Sequence, residues 1–138
     1  MNNLFVDTAG WANLFIVSEE HHKKAAAYIY EAQRTRQKLA TTNYIVAELV
    51  ALLGSRYQLS RQQVFRYVDS IKKTPSIQIF HIDELTDTEA WKLCKSRPDE
   101  AWSLVDSSSF IVMKQLFIST ALTTDKHFEQ AGFVHLLK

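Results

Sequence analysis

Every short apolar run in this chain but the last is followed by a helix-forming segment, and none of the links between runs has the form of a two-residue hairpin turn. Residues 4–6, 39–42, 77–82, 118–123 and 133–137 read as strands. Between them lie helical stretches: a short one over Thr8 and residues 10–15, one opened by Ser18 with Glu19 and Glu20 and running to about Arg36, and one over 44–57 capped by Asn43. The next is capped by Ser60 and ends near Lys73. Another is opened by Thr86, with Glu89 three residues on, and broken by Pro98; the last two span 105–116 and 126–131, the final one ended by Gly132. Strands that alternate with helices and lack hairpins predict an α/β fold: a central parallel sheet of four to five short strands flanked by helices.

Residues 1–138 are expected to form one domain, because the chain is long enough to bury a core and no repeat or linker divides it. The longest apolar runs fall far short of the ~20 residues a membrane span requires, and no basic segment followed by a long apolar one stands at the N-terminus. A cytoplasmic protein without a membrane segment is therefore expected. The single cysteine, Cys94, can form no internal disulfide and reads as a packing residue.

Within this layout four carboxylates stand alone. Asp7 is the only charged side chain in residues 2–18, Glu48 the only one in 39–55, and Asp106 the only one in 101–113, while Asp125 closes the uncharged run 115–124. An isolated ionised carboxylate in a poorly solvated position costs several kcal/mol or more unless it is paired or bound to a metal. No Lys or Arg lies in the first three stretches. Asp7 and Asp125 follow strands, and Glu48 and Asp106 fall in early turns of helices, so all four are expected at the carboxyl edge of the sheet, where open parallel sheets bind ligands.

Hard oxygen donors of this kind suit Mg²⁺ or Mn²⁺, and the reaction such a site serves best is phosphodiester hydrolysis. Thr8, Thr123 and Thr124 stand beside the acids and are candidates to orient them. Other chemistries are poorly supplied: the glycines are scattered, no Gly-x-Ser-x-Gly elbow exists, and His21 and His22 are adjacent rather than three or four apart. Those two histidines read as surface residues, and His127 as a hydrogen-bonded structural one. Helix capping remains an alternative for Asp7, Asp106 and Asp125 taken singly, but not for Glu48, which lies one turn inside its helix. Residues 33–73 carry eight basic side chains against two acidic ones. They read either as a solvated helical face or as a phosphate-binding surface, with Arg56, Arg61 and Arg66 the candidates for gripping a nucleic-acid backbone.

Four segments in order, Phe5–Val6–Asp7–Thr8, residues 42–48, residues 102–110 and residues 121–128 followed by Ala131–Gly132–Phe133, resemble the PIN-domain family, and within it the VapC-type toxin ribonucleases. The resemblance implies a PIN fold and a metal-dependent endoribonuclease in which Asp7, Glu48, Asp106 and Asp125 form the acidic Mg²⁺ or Mn²⁺ site, with Asp99 as a secondary acid. It also implies an RNA substrate, a small antitoxin protein whose tail occupies the active-site groove, and a homodimer. Trp11, Phe15, Tyr28 and Tyr30 on the early helices are the expected apolar contribution to that dimer. A stand-alone RNA-processing nuclease, a structure-specific DNA nuclease and a catalytically silent PIN-fold binding module are the alternatives.

Overall fold

The computed structural model describes residues 3–138. Twelve elements follow one another: β1 (Leu4–Val6), α1 (Thr8–Phe15), α2 (His22–Arg34), β2 (Leu39–Thr42), α3 (Asn43–Ser55), α4 (Arg61–Lys73), β3 (Ile77–Phe80), α5 (Glu84–Ser96), α6 (Leu104–Gln115), β4 (Thr120–Leu122), α7 (His127–Gln130) and β5 (Val134–His135). The strands form one sheet in the order β3-β2-β1-β4-β5, and every pairing is parallel. This is the expected sheet, flanked by helices. Its central strand β1 is wholly buried, as a strand covered on both faces must be.

The chain leaves β1 towards β2 on one side and receives β4 on the other, so the crevice beyond the carboxyl ends of β1 and β4 is the point where strand order reverses. Gly10 makes that region tight. A Cβ there would stand 2.1 Å from the Leu122 carbonyl oxygen, so only glycine lets α1 lie this close to the end of β4. Beneath, Phe128 of α7 meets Phe110 of α6 edge-on at 5.0 Å and Phe5 of β1 at 6.4 Å, tying three elements of the crevice to one core.

Several helix boundaries differ from expectation. The helix expected from Ser18 begins at His22, because Asn13 at the end of α1 supplies the start: its Oδ1 accepts the His21 amide, and its carbonyl meets His22 Nδ1 at 2.9 Å. His21 and His22 are accordingly half-buried rather than surface residues. The same helix ends at Arg34, and Arg36 turns into the left-handed region at φ 59°. Thr42, not Asn43, caps α3, accepting the Ile45 amide; Asn43 instead accepts the Ile82 amide at 2.7 Å, which ends β3 at Phe80. Asp83 rather than Thr86 caps α5. Ser60 caps α4 as expected, in a box with Gln63, and Gly132, at φ +97°, follows α7. Strands β4 and β5 are shorter than their apolar runs.

The surface also corrects one expectation. Trp11 is only 1% exposed, with its indole N–H donated to Thr41 Oγ1, and so is a core residue; Phe15 is half-buried in a stack on Tyr67. Tyr28 is half-buried, and of the four residues expected on the dimer face only Tyr30 is well exposed. Among the described residues no helix is long and apolar enough to cross a membrane. Cys94 is unpaired and half-buried on α5, its thiol donating to the Trp102 carbonyl.

Candidate functional site

Asp7, Glu48, Asp106 and Asp125, 118 residues apart along the chain at their extremes, line one cleft of about 480 Å³ at the carboxyl ends of β1 and β4. Thr8, Thr124 and Arg56 share the lining, as do Glu19, Glu20 and His21 from the α1–α2 link. Arg61 and Arg66 are exposed on α4 and are not part of the lining. Arg61 lies over the Phe65 ring instead. Asp99 is also outside it: the carboxylate is exposed and gripped by the Arg97 fork at 3.2 Å.

The four acids are not equally desolvated. Asp7 and Asp106 are buried, at 4% and 8% exposure, whereas Asp125 is half-buried and Glu48 is exposed at the cleft mouth. Apolar neighbours in the sequence therefore did not mean an apolar environment for Glu48, whose helix turns it outwards together with Ala47, Val50 and Ala51. Among the described residues no Lys or Arg forms a salt bridge with any of the four.

Each carboxylate is held by at least one hydrogen bond from the protein. Thr123 Oγ1 donates to Asp7 Oδ2 at 2.9 Å, and Thr8 Oγ1 donates to Glu48 Oε1 at 2.6 Å. Asp106 is the third helical residue of α6 and closes a capping box, its Oδ2 accepting the Ser103 amide at 3.1 Å while Ser103 Oγ accepts the Asp106 amide. Asp125 Oδ1 accepts the His127 amide at 2.9 Å, at the start of α7. Asp7, although it precedes α1, makes no side-chain capping bond to that helix. The capping alternative thus describes part of what Asp106 and Asp125 do and leaves Asp7 unexplained.

Burial pushes the Asp7 carboxyl up to about 7; the Thr123 hydroxyl and the Thr8 amide pull it down, and the charges of Asp106 and Asp125 push it further up. Burial raises Asp106 too, with Asp125 adding to the rise and the Ser103 amide and His127 opposing it. His127 joins the acids here: its Nδ1 stands 2.9 Å from Asp106 Oδ2 and 3.3 Å from Asp125 Oδ1. One donor atom each from Asp106, Asp125 and His127 falls within a 4.8 Å sphere of mutual distances suited to a metal ion. The sequence reading placed His127 outside the site. Its closeness to Asp125 was visible, but the approach of Asp106, 21 residues away, was not.

The donor set fits a divalent cation. Four carboxylates in one cleft, Asp7 and Asp106 raised by burial and none paired to Lys or Arg among the described residues, make a site where positive charge is missing.

A parallel five-stranded sheet with acids collected at its reversal point is the arrangement of a PIN-like α/β protein. No family model matches the sequence. The chain is 26% identical over 133 residues to the 23S rRNA-specific endonuclease VapC20 of Mycobacterium tuberculosis, in strains CDC 1551 and H37Rv alike, and the match spans 96% of this chain and 97% of the relative. The crystal structure of that VapC20, described as a sarcin-ricin loop cleaving toxin, matches with a TM-score of 0.83 over 96% of this chain and 97% of that one. PAE2754 from Pyrobaculum aerophilum has the same fold, with a TM-score of 0.68 at 15% identity over 98% of this chain and 84% of that one. So does FitAcB from Neisseria gonorrhoeae, at 0.65 and 16% over 96% of each. In sequence and in fold the chain is similar to PIN-like proteins of the VapC type.

Proposed function

We propose that this chain is a metal-dependent endoribonuclease acting as the toxin of a type II toxin–antitoxin pair, with Asp7, Glu48, Asp106 and Asp125 as the acids that hold Mg²⁺ or Mn²⁺. The observation that carries the reading is the common cleft: four carboxylates from the end of β1, α3, α6 and the β4–α7 link, each anchored by a hydrogen bond and, among the described residues, none ion-paired to Lys or Arg. A divalent ion held there would supply positive charge against the phosphodiester and acidify a water for attack.

The chain's own groups do the rest. Thr123 and Thr8 fix the orientation of Asp7 and Glu48, so that their other oxygens need little reorganisation on binding. Arg56 at the cleft mouth offsets the repulsion between a polyanion and the acidic lining, which includes Glu19 and Glu20. Thr124 is the remaining secondary residue in the lining. Asp99, Arg61 and Arg66 are assigned no direct part in chemistry, Arg61 and Arg66 serving at most as a peripheral track for RNA.

The 26% identity to VapC20 makes ribosomal RNA, and the sarcin-ricin stem-loop first, the substrate to try. A small antitoxin that closes the cleft, a homodimer, a single domain over residues 1–138 and a cytoplasmic setting complete the proposal. Tyr30, Leu85, Trp91 and Phe117, all more than half exposed, are apolar surface on which a second copy could pack. A monomer mass by light scattering at high micromolar concentration would remove the dimer.

The activity test is incubation of the purified protein with the stem-loop and an unstructured RNA, with Mg²⁺, Mn²⁺ or chelator, beside Asp7→Asn. Cleavage should require the metal and Asp7. Full cleavage in chelator, or by the variant, would sink the reading.

A further inference from the structure

His127 touches two of the cleft acids, and neither the family resemblance nor the chemistry above gives it a role. We propose that it is a positioning residue: its imidazole N–H clasps Asp106 and Asp125 together and sets the two carboxylates at the spacing a divalent cation needs. The inference rests on the metal-site reading of the preceding section.

The hydrogen-bond pattern assigns the proton. Nδ1 faces Asp106 Oδ2 at 2.9 Å and Asp125 Oδ1 at 3.3 Å. Asp106 Oδ2 already accepts the Ser103 amide, and Asp125 Oδ1 already accepts the amide of His127 itself. Two oxygens acting as acceptors require the hydrogen to be on Nδ1. Backbone amides and imidazole therefore converge on the same oxygen of each carboxylate, which leaves Asp106 Oδ1 and Asp125 Oδ2 as the atoms without a donor among the described residues.

His127 is also behind the acids. Asp106 and Asp125 line the cleft, whereas His127 does not appear in its lining. Two carboxylates brought this near each other repel, and the shared N–H offsets part of that repulsion before any cation arrives. The imidazole is itself held in place, because the next residue, Phe128, is fully buried against Phe110 and Phe5. A carboxylate–imidazole contact of this kind around a metal-binding acid ordinarily changes metal affinity by about 10- to 100-fold when removed.

Calorimetric titration of Mn²⁺ into the wild-type protein and into His127→Ala, His127→Asn and His127→Gln tests this, with pulsed EPR of bound Mn²⁺ and thermal melts of each protein. Asn can present an N–H near the place of Nδ1, while Gln carries its amide one bond further out. Affinity should fall about 10- to 100-fold in His127→Ala and His127→Gln and recover most of the way in His127→Asn. The wild-type EPR spectrum should show no coupling from a ligating nitrogen. Unchanged affinity in a folded His127→Ala or His127→Gln protein would overturn the clasp, and the Gln variant carries the test if the Ala variant does not fold. Nitrogen coupling that vanishes in the variants would also overturn it, making His127 a ligand rather than a brace. If the wild-type protein binds no Mn²⁺ at all, the metal site falls along with this inference, a result distinct from equal binding by wild type and variants.

Discussion

Asp7 at the end of β1 and Asp106 in the first turn of α6 are chemically identical, comparably buried and in the same cleft, yet the protein supports them differently. Asp106 receives a backbone amide and an imidazole, both directed at one oxygen. Asp7 has the neutral hydroxyl of Thr123 and the Thr8 amide, and burial still leaves its carboxyl near 7. Both acids stand at helix starts, whose first amides have no partner inside the helix, but only Asp106 closes a capping box and gains an imidazole besides. Asp106 thus owes much of its setting to its own helix. The ionised form of Asp7 depends on positive charge from elsewhere.

The largest effect expected from this contrast is on catalysis. Asp7→Asn, Glu48→Gln, Asp106→Asn and Asp125→Asn should each lower metal-dependent RNA cleavage by at least about a hundredfold, because each removes one charged donor from a shared site. Gel assays on folded variants would measure it. If Asp106→Asn and Asp125→Asn cleaved normally while Asp7→Asn was inactive, the α6 and α7 acids would be helix caps only.

Stability against pH comes next. In the folded, metal-free protein Asp7 keeps its proton up to about pH 7, whereas the unfolded chain releases it near 3.8. The folded state therefore binds the extra proton between those values, so its contribution is full below 3.8 and is lost as pH rises through 7. Urea melts in chelator should show wild-type stability falling across that window. Asp7→Asn should flatten the fall and gain roughly 2–4 kcal/mol at pH 8. Asp106→Asn should gain less, since it weakens bonds to the Ser103 amide and to His127. An equal gain from both would erase the difference between the two acids.

Removing the hydroxyl supports should cost less. Thr123→Val and Thr8→Val each delete a hydrogen bond to an acid, with an expected loss of about 1–2 kcal/mol in stability or about tenfold in Mn²⁺ affinity, read by melts and calorimetry. Ser103→Ala, which opens the capping box, should lower stability by about 1 kcal/mol and leave Asp7 untouched.

The smallest effect concerns RNA binding. Arg56→Gln should reduce the dependence of log affinity on log salt by about one unit, and adding Arg61→Gln and Arg66→Gln should change it little further. Filter binding across a salt series checks this. A clear additional drop in the triple variant would extend the RNA track over α4.

What the sequence alone determined was the order of strands and helices, the parallel sheet they imply and the four acids, because those signals are local. Apolar periodicity, missing hairpin turns and a charge isolated within an uncharged stretch can be seen in a window of ten to twenty residues. Tertiary structure decided whatever depends on a partner distant in the chain. Asn43 gave up its capping role to bind the Ile82 amide, Asn13 displaced Ser18 at the start of α2, and Trp11 went into the core to meet Thr41. Glu48 emerged exposed because helix phase, rather than neighbouring residue type, sets which face meets water. His127 joined the site only when α7 packed against α6, and Thr123 reached Asp7 across 116 residues of chain. Hydrogen bonds and burial are settled by three-dimensional proximity, and sequence spacing encodes that proximity only within one element.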